Sequence, residues 1–218
     1  MILFDAIVRF TGVGVLVLLA TFTVRDLRKW QGAPYLFLAT ISVLAAYLGV
    51  TIEPFRLPDA LHAVTRLVDI PHLVFVWLFA LSLFKDSFKL RWFHWCFGLI
   101  YCAPISVMRL YHFEVITWYP HIYVAAAEVL SVALMAHLVY VTLRERKADL
   151  LEQRRRARIY FVVIIAIVAT IATFISSDIF LPHVVAYETI WMASIWPGII
   201  WTAFWLLGAK RSVLDFRK

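Results

Sequence analysis

The chain has 218 residues, 63% of them hydrophobic and 16% charged, with 21 Lys and Arg against 14 Asp and Glu for a formal net charge of +7. Soluble domains hold about 45–50% apolar residues, so this composition excludes an ordinary soluble enzyme or binding module and points to an integral membrane protein. The two cysteines, Cys96 and Cys102, lie six apart in one apolar segment, face different sides of a helix, and read as packing residues rather than a disulfide or metal pair.

Apolar runs of 17 or more residues recur, each long enough to cross a hydrocarbon core of about 30 Å. The start, "MILFDAIVRF", lacks a basic leader and a small-residue cleavage site, so the first run is expected to stay as a helix. In chain order the sequence predicts an all-α bundle of seven transmembrane helices, a single membrane domain over residues 1–218. The spans are expected at about 4–24, 34–51, 59–84, 92–108, 120–143, 159–179 and 188–209. In the third, Pro71 removes a backbone donor and disturbs the helix near Leu67, so the segment is either kinked or begins afresh there. Pro104 and Pro197 interrupt the fourth and seventh spans. Trp196 and Trp201 lie too deep in the seventh to be interface anchors, so they pack or line a pocket.

The loops fix a direction. "RDLRKWQGA" and "KDSFKLR" carry three Lys and Arg each, "RERKADLLEQRRRAR" seven and "KRSVLDFRK" four, which is 17 of 21 on one side. Only Arg9, Arg56, Arg66 and Arg109 remain for the other. Short basic loops stay in the cytoplasm, so the N-terminus is expected outside and the C-terminus inside, in the bacterial cytoplasmic membrane. The basic charge is then topology and attraction to anionic membrane lipids, and direct nucleic-acid contact by this chain is not expected.

Acids and histidines distribute the other way. Asp5, Glu53, Asp59, Asp69, Glu114, Glu128, Asp178 and Glu188 fall in the outer half, with five of seven histidines. Charged groups within spans usually face a bundle interior or cavity, which makes Arg66, Asp69, His72, Arg109, His121, Glu128 and Glu188 candidate ligand-binding residues. His62, Arg66 and Asp69 share one helical face. Two readings of that face stand: an amphipathic extension meeting water, or one wall of an outward pocket. Arg66 and Asp69 can also pair with each other, and Arg109 with Glu114 or an anionic ligand. His121, Glu128 and Ser131 share a face of the fifth span. Glu128 is the foremost single candidate, a carboxyl about a third of the way into the membrane that is either protonated or paired with Arg66, Arg109 or a helix neighbour.

No lysine lies in the seventh span to hold retinal, and no hydrolase elbow, phosphate loop, zinc-protease motif or cofactor signature is present, so no catalytic, metal or cofactor site is expected. The stretch "VFVWLFALSLFKDSFKLRWFHW" (74–95), with "LEQRRRARIYF" before the sixth span, resembles the membrane sensor module of bacterial AraC-type transcriptional regulators. That resemblance implies seven spans joined to a cytoplasmic helix-turn-helix domain, for which the nine residues after the last span leave no room, so the output domain or partner protein is expected to dock on the basic side. The expected function is a sensor for a small ligand, lipid or proton, with a homodimer admissible. A small-solute carrier or channel and a structural subunit of a membrane complex are the alternatives.

A reporter fused after Lys218 should behave as cytoplasmic and one inserted near Glu114 as external; opposite labelling of these two sites refutes the orientation.

Overall fold

The computed structural model describes residues 2–28, 30–49, 55–85, 88–144, 159–164, 167–168 and 187–208, excepting the side chains of 187, 188 and 206–208. All regular structure among them is helical: α1 (Ile2–Asp26), α2 (Ala33–Gly49), α3 (Asp59–Val68), α4 (His72–Phe84), α5 (Trp92–His112), α6 (His121–Arg144) and α7 (Tyr187–Gly208). Four stretches are long and apolar enough to cross a membrane: Ile2–Asp26, Asp59–Phe84, Trp92–His112 and His121–Arg144. The apolar α2 is shorter, at 17 residues. The chain is a multi-pass membrane protein. The expected sixth span, 159–179, lies outside the described residues beyond short helical pieces at 159–164 and 167–168.

Local chemistry agrees with an apolar surround. Lipid offers no water to hydroxyl groups, and the serines and threonines turn back onto their own helices. Thr23 donates to the carbonyl of Leu19 at 2.8 Å, Thr40 to Leu36 at 2.7 Å, Ser82 to Phe79 at 2.6 Å, Thr142 to Leu138 at 2.8 Å and Thr202 to Gly198 at 2.7 Å. Large apolar side chains cover the outside. Trp92 is 77% exposed, Leu99 69%, Ile122 82% and Val129 68%, which in water would be a gross liability and in lipid is ordinary.

The third expected span is two helices. Pro71 has no N–H and its ring crowds the carbonyl four residues back, so α3 ends at Val68. Ile70 then caps the carbonyl of Leu67 at 3.3 Å, and α4 starts afresh at His72. α4 forms the axis of the bundle. Ten of its thirteen residues are buried, and α2 and α6 pack on it. α3 is amphipathic in the opposite sense to a soluble helix. Leu61, Val64 and Leu67 are exposed, whereas His62, Thr65 and Arg66 turn toward the protein. The half-buried part of its polar face lies against the ends of α2 and α5, where His62 meets Phe113 at 6.4 Å between ring centroids.

α5 runs to His112, one turn beyond the expected end at 108, so Arg109 sits within the helix. Its end is a Schellman turn. Glu114, at φ 58°, takes the left-handed position usually left to glycine, while the N–H groups of Glu114 and Val115 reach the carbonyls of Tyr111 and Leu110 at 3.0 Å each.

A second packing centre joins α1, α2 and α7 around Tyr47, which is fully buried and donates its hydroxyl to the carbonyl of Met192 at 2.7 Å. Gly12 of α1 lies flat against that ring, and a Cβ there would stand 2.9 Å from Cδ1 of Tyr47. Small residues at such crossings let helices approach closely where no hydrophobic drive separates helix from lipid. The replacement Gly12→Ala should cost about 1–3 kcal/mol by overpacking, because the hydrogen bond to Met192 stops the ring from swinging aside. Gly14→Ala, whose Cβ would meet nothing within 4 Å, is the control; melting curves in detergent should separate the two, and equal melting temperatures would refute the close-packing argument.

Candidate functional site

The beginnings of α1, α4, α6 and α7 and the ends of α2 and α5 share one end of the bundle, the polar end. Arg25, Arg28, Lys85, Lys89, Arg91 and Arg144 lie at or near the opposite, basic end. Two charged clusters are built into the polar end, each around one buried carboxylate.

Asp69 holds the first. It caps the end of α3 at the break before α4, its N–H still bonded to the carbonyl of Thr65 at 3.0 Å, and is only 2% exposed. Arg66, one turn back on α3, donates from Nη1 to its Oδ2 at 3.0 Å. Arg109, brought alongside by the last turn of α5, donates from Nη2 to Oδ1 and Oδ2 at 3.0 and 3.1 Å. His72 adds a hydrogen bond from Nδ1 to the backbone carbonyl of Asp69 at 2.7 Å, which fixes the ring tautomer, and its ring meets Trp191 of α7 edge-on at 6.2 Å. One carboxylate is thus divided between two guanidinium groups, and Nε of Arg109 is buried with no acceptor among the described residues.

Asp5 and Arg9 hold the second, one turn apart on α1 and 2% and 3% exposed. Arg9 grips the carboxylate with Nε at 3.0 Å and Nη2 at 2.8 Å, and donates from Nη1 to the carbonyl of Tyr47 at 2.8 Å. Thr189 of α7 donates to Asp5 Oδ1 at 2.7 Å. A cation at the C-terminal end of α2 also meets the negative end of that helix dipole. The clusters abut through α2. Two residues past Tyr47, Gly49 carries no side chain, and a Cβ there would lie 2.8 Å from Cδ of Arg66.

Of the residues singled out from sequence, the structure brings together Arg66, Asp69, His72 and Arg109. It does not bring His121 or Glu128 to them. His121 is exposed at the start of α6 beside Tyr119, at 4.4 Å between rings. Glu128 is exposed on the outer surface of α6, away from Arg66 and Arg109, both of which hold Asp69. Of the alternatives for Glu128, the pairing with Arg66 or Arg109 is not made, and neither is the pairing of Arg109 with Glu114, which is exposed beyond the α5 turn. The backbone of Glu188 lies in the first turn of α7, and its side chain is outside the described residues. Sequence reasoning missed Asp5, Arg9, Tyr47 and Thr189. The signal for the first two was present as an acid and a base four apart inside an apolar run.

The basic half has its own polar contact. Trp77 of α4 donates from Nε1 to Nδ1 of His137 at 3.0 Å, and His94 packs against Trp77 at 5.6 Å while accepting the N–H of Arg91 at 2.9 Å. No group of metal-binding side chains occurs among the described residues. Comparison with known protein families, curated proteins and solved structures returns no match.

Removing one partner from a buried ion cluster strands the others and costs about 3–5 kcal/mol. Asp5→Ala and Asp69→Ala should therefore each lower the melting temperature by several degrees or prevent insertion. Asp59→Ala, at an exposed residue 3.6 Å from Arg56, should change it by less than about 1 kcal/mol. Three equal responses would refute the distinction between buried and surface pairs.

Proposed function

We propose that the protein is a seven-span membrane sensor, N-terminus outside, in which the Arg66–Asp69–Arg109 junction is the sensing element and the basic end acts on a cytoplasmic output domain or partner protein. The observation that carries this reading is the position of Asp69. A charged residue at a break in a span, clamped from its own helix and from the next, joins two rigid bodies through one carboxylate. Any ligand that competes for that carboxylate or its arginines changes how α3 is tied to α5. α4 continues from the same break through the core to the basic loop at Lys85, which supplies a route from one end to the other. Transcription regulation, in the bacterial cytoplasmic membrane, is the output implied by the resemblance of segment 74–95 to AraC-type sensors.

The chemistry of the basic half favours a sensor over a carrier. A solute path needs polar groups aimed into a passage, whereas Ser82, Thr142 and Thr202 spend their hydroxyls on their own helices and His137 is taken by Trp77.

A cysteine-labelling experiment discriminates the two. With Cys96 and Cys102 replaced by alanine, Lys89→Cys reports the basic end, and Ser82→Cys and Thr142→Cys report its interior. Adding Asp69→Asn, which keeps shape but removes the charge, should change the labelling rate at position 89 several-fold and leave positions 82 and 142 inaccessible to a charged reagent. Labelling of 82 and 142 supports a carrier. An unchanged rate at 89 shows that the junction is not coupled to the basic end.

A further inference from the structure

Arg109 is the cation at the junction whose donors are least satisfied. Its hydrogen bonds to Asp69 both leave from Nη2, and Nε of the same planar group is buried with no acceptor among the described residues. Asp69 cannot supply more, because Arg66 takes a share of the same carboxylate through Oδ2. The other described carboxylates are placed elsewhere. Asp5 is occupied by Arg9 and Thr189. Asp59 sits in an exposed pair with Arg56, and Asp26 pairs with Arg25 in the last turn of α1 at the basic end. Glu114 and Glu128 are exposed. Buried charges persist when matched by opposite charge and hydrogen bonds, and the one described carboxylate that reaches Arg109 is also bonded by Arg66.

A guanidinium presents five N–H donors in a rigid fork suited to two oxygens of one anion. The Arg109 side chain keeps 16% of its surface exposed, so at the junction of α3, α5 and the break before α4 it is within reach of the surroundings. We propose that this junction binds an anionic oxygen group, a carboxylate or a phosphate, on the guanidinium of Arg109 beside Asp69. The proposal rests on reading the junction as the sensing site and names the class of what is sensed. Such a ligand offers the guanidinium further acceptor oxygens and competes with Asp69 for Arg109, so binding loosens the tie between the α3–α4 break and α5. The same chemistry comes from two sources, a free anion or the phosphodiester of an anionic lipid.

The test uses the full chain in nanodiscs. In phosphatidylcholine discs, millimolar inorganic phosphate or acetate, set against chloride at equal ionic strength, should raise the melting temperature by about 2–5 °C. Arg109→Gln should abolish the rise. Arg109→Lys, which keeps the charge and loses the fork, should reduce it, and Asp69→Asn should enlarge it by removing the internal competitor. If phosphatidylglycerol discs give the rise without added anion and blunt the phosphate effect, the ligand is a lipid headgroup; if they leave that effect intact, it is soluble. Both results support the site. A wild-type protein indifferent to every probe overturns it, as does an equal rise in Arg109→Gln. A response that appears only after Glu188→Gln or Glu53→Gln overturns it too, since the counter-charge then belongs to the chain. The labelling change at position 89 with Asp69→Asn, measured in the absence of any probe, tests the sensor reading independently of the ligand.

Discussion

The structure hangs on a carboxylate and an arginine that cannot reach water. Asp5 and Arg9 are buried where α1, α2 and α7 meet, and their surroundings are complete. The guanidinium spans the carboxylate and the carbonyl of Tyr47 near the end of α2, and Thr189 closes the remaining side from α7. In a medium of low dielectric an ion pair missing one such contact is a liability and one with all of them is a lock. It sets which helix ends lie together, and thereby where Tyr47 stands, how close α1 comes at Gly12, and where Gly49 meets Arg66. The Asp69 cluster is seated on that arrangement.

The two clusters differ in one respect that bears on function. Asp5 serves one arginine and a neutral hydroxyl, whereas Asp69 is shared by two arginines and leaves a buried donor of Arg109 unmet among the described residues. The first lies within continuous helices and the second at a break. Rigidity and full pairing coincide at one site, and discontinuity and an unmet donor at the other. That contrast sets the fully paired α1 cluster apart from the junction, whose two arginines draw on one carboxylate.

Much of this is legible in the sequence, and the failures have physical causes. The apolar runs specify the helices, and Pro71 specifies the break for the reason observed. An end for α5 at Met108 follows from the rule that a charge usually ends a span; Arg109 continues the helix because Asp69, forty residues earlier, neutralises it. Such a long-range partner leaves no local trace. Asp5 and Arg9 stand near the chain start, where charges commonly belong to the interface, so nothing local marks them as buried. Glu128 is visible as an acid within a span, but α6 is apolar on all sides, so its sequence does not say which face packs. The buried residues Ala127, Leu134 and Leu138 turn Glu128 outward. For α3, amphipathicity is plain while its sense is not, since an inverted helix and a surface helix share one periodicity.

The arrangement of partners around each buried acid also bears on how the chain enters a bilayer. Asp5 has Arg9 four residues ahead of it and Asp69 has Arg66 three behind, whereas Thr189 and Arg109 lie 184 and 40 residues further on. As segments emerge in order from the ribosome, each acid arrives with a base from its own helix, its charge already matched, and meets its distant partner only when a later span docks. The cost of placing a carboxylate in lipid is thus met locally during insertion, and tertiary assembly adds what insertion cannot supply. For the junction this means that α3 and α4 cross the membrane before the restraint from α5 exists. That tie is added once both are in place, so its loss need not undo the insertion that came before it.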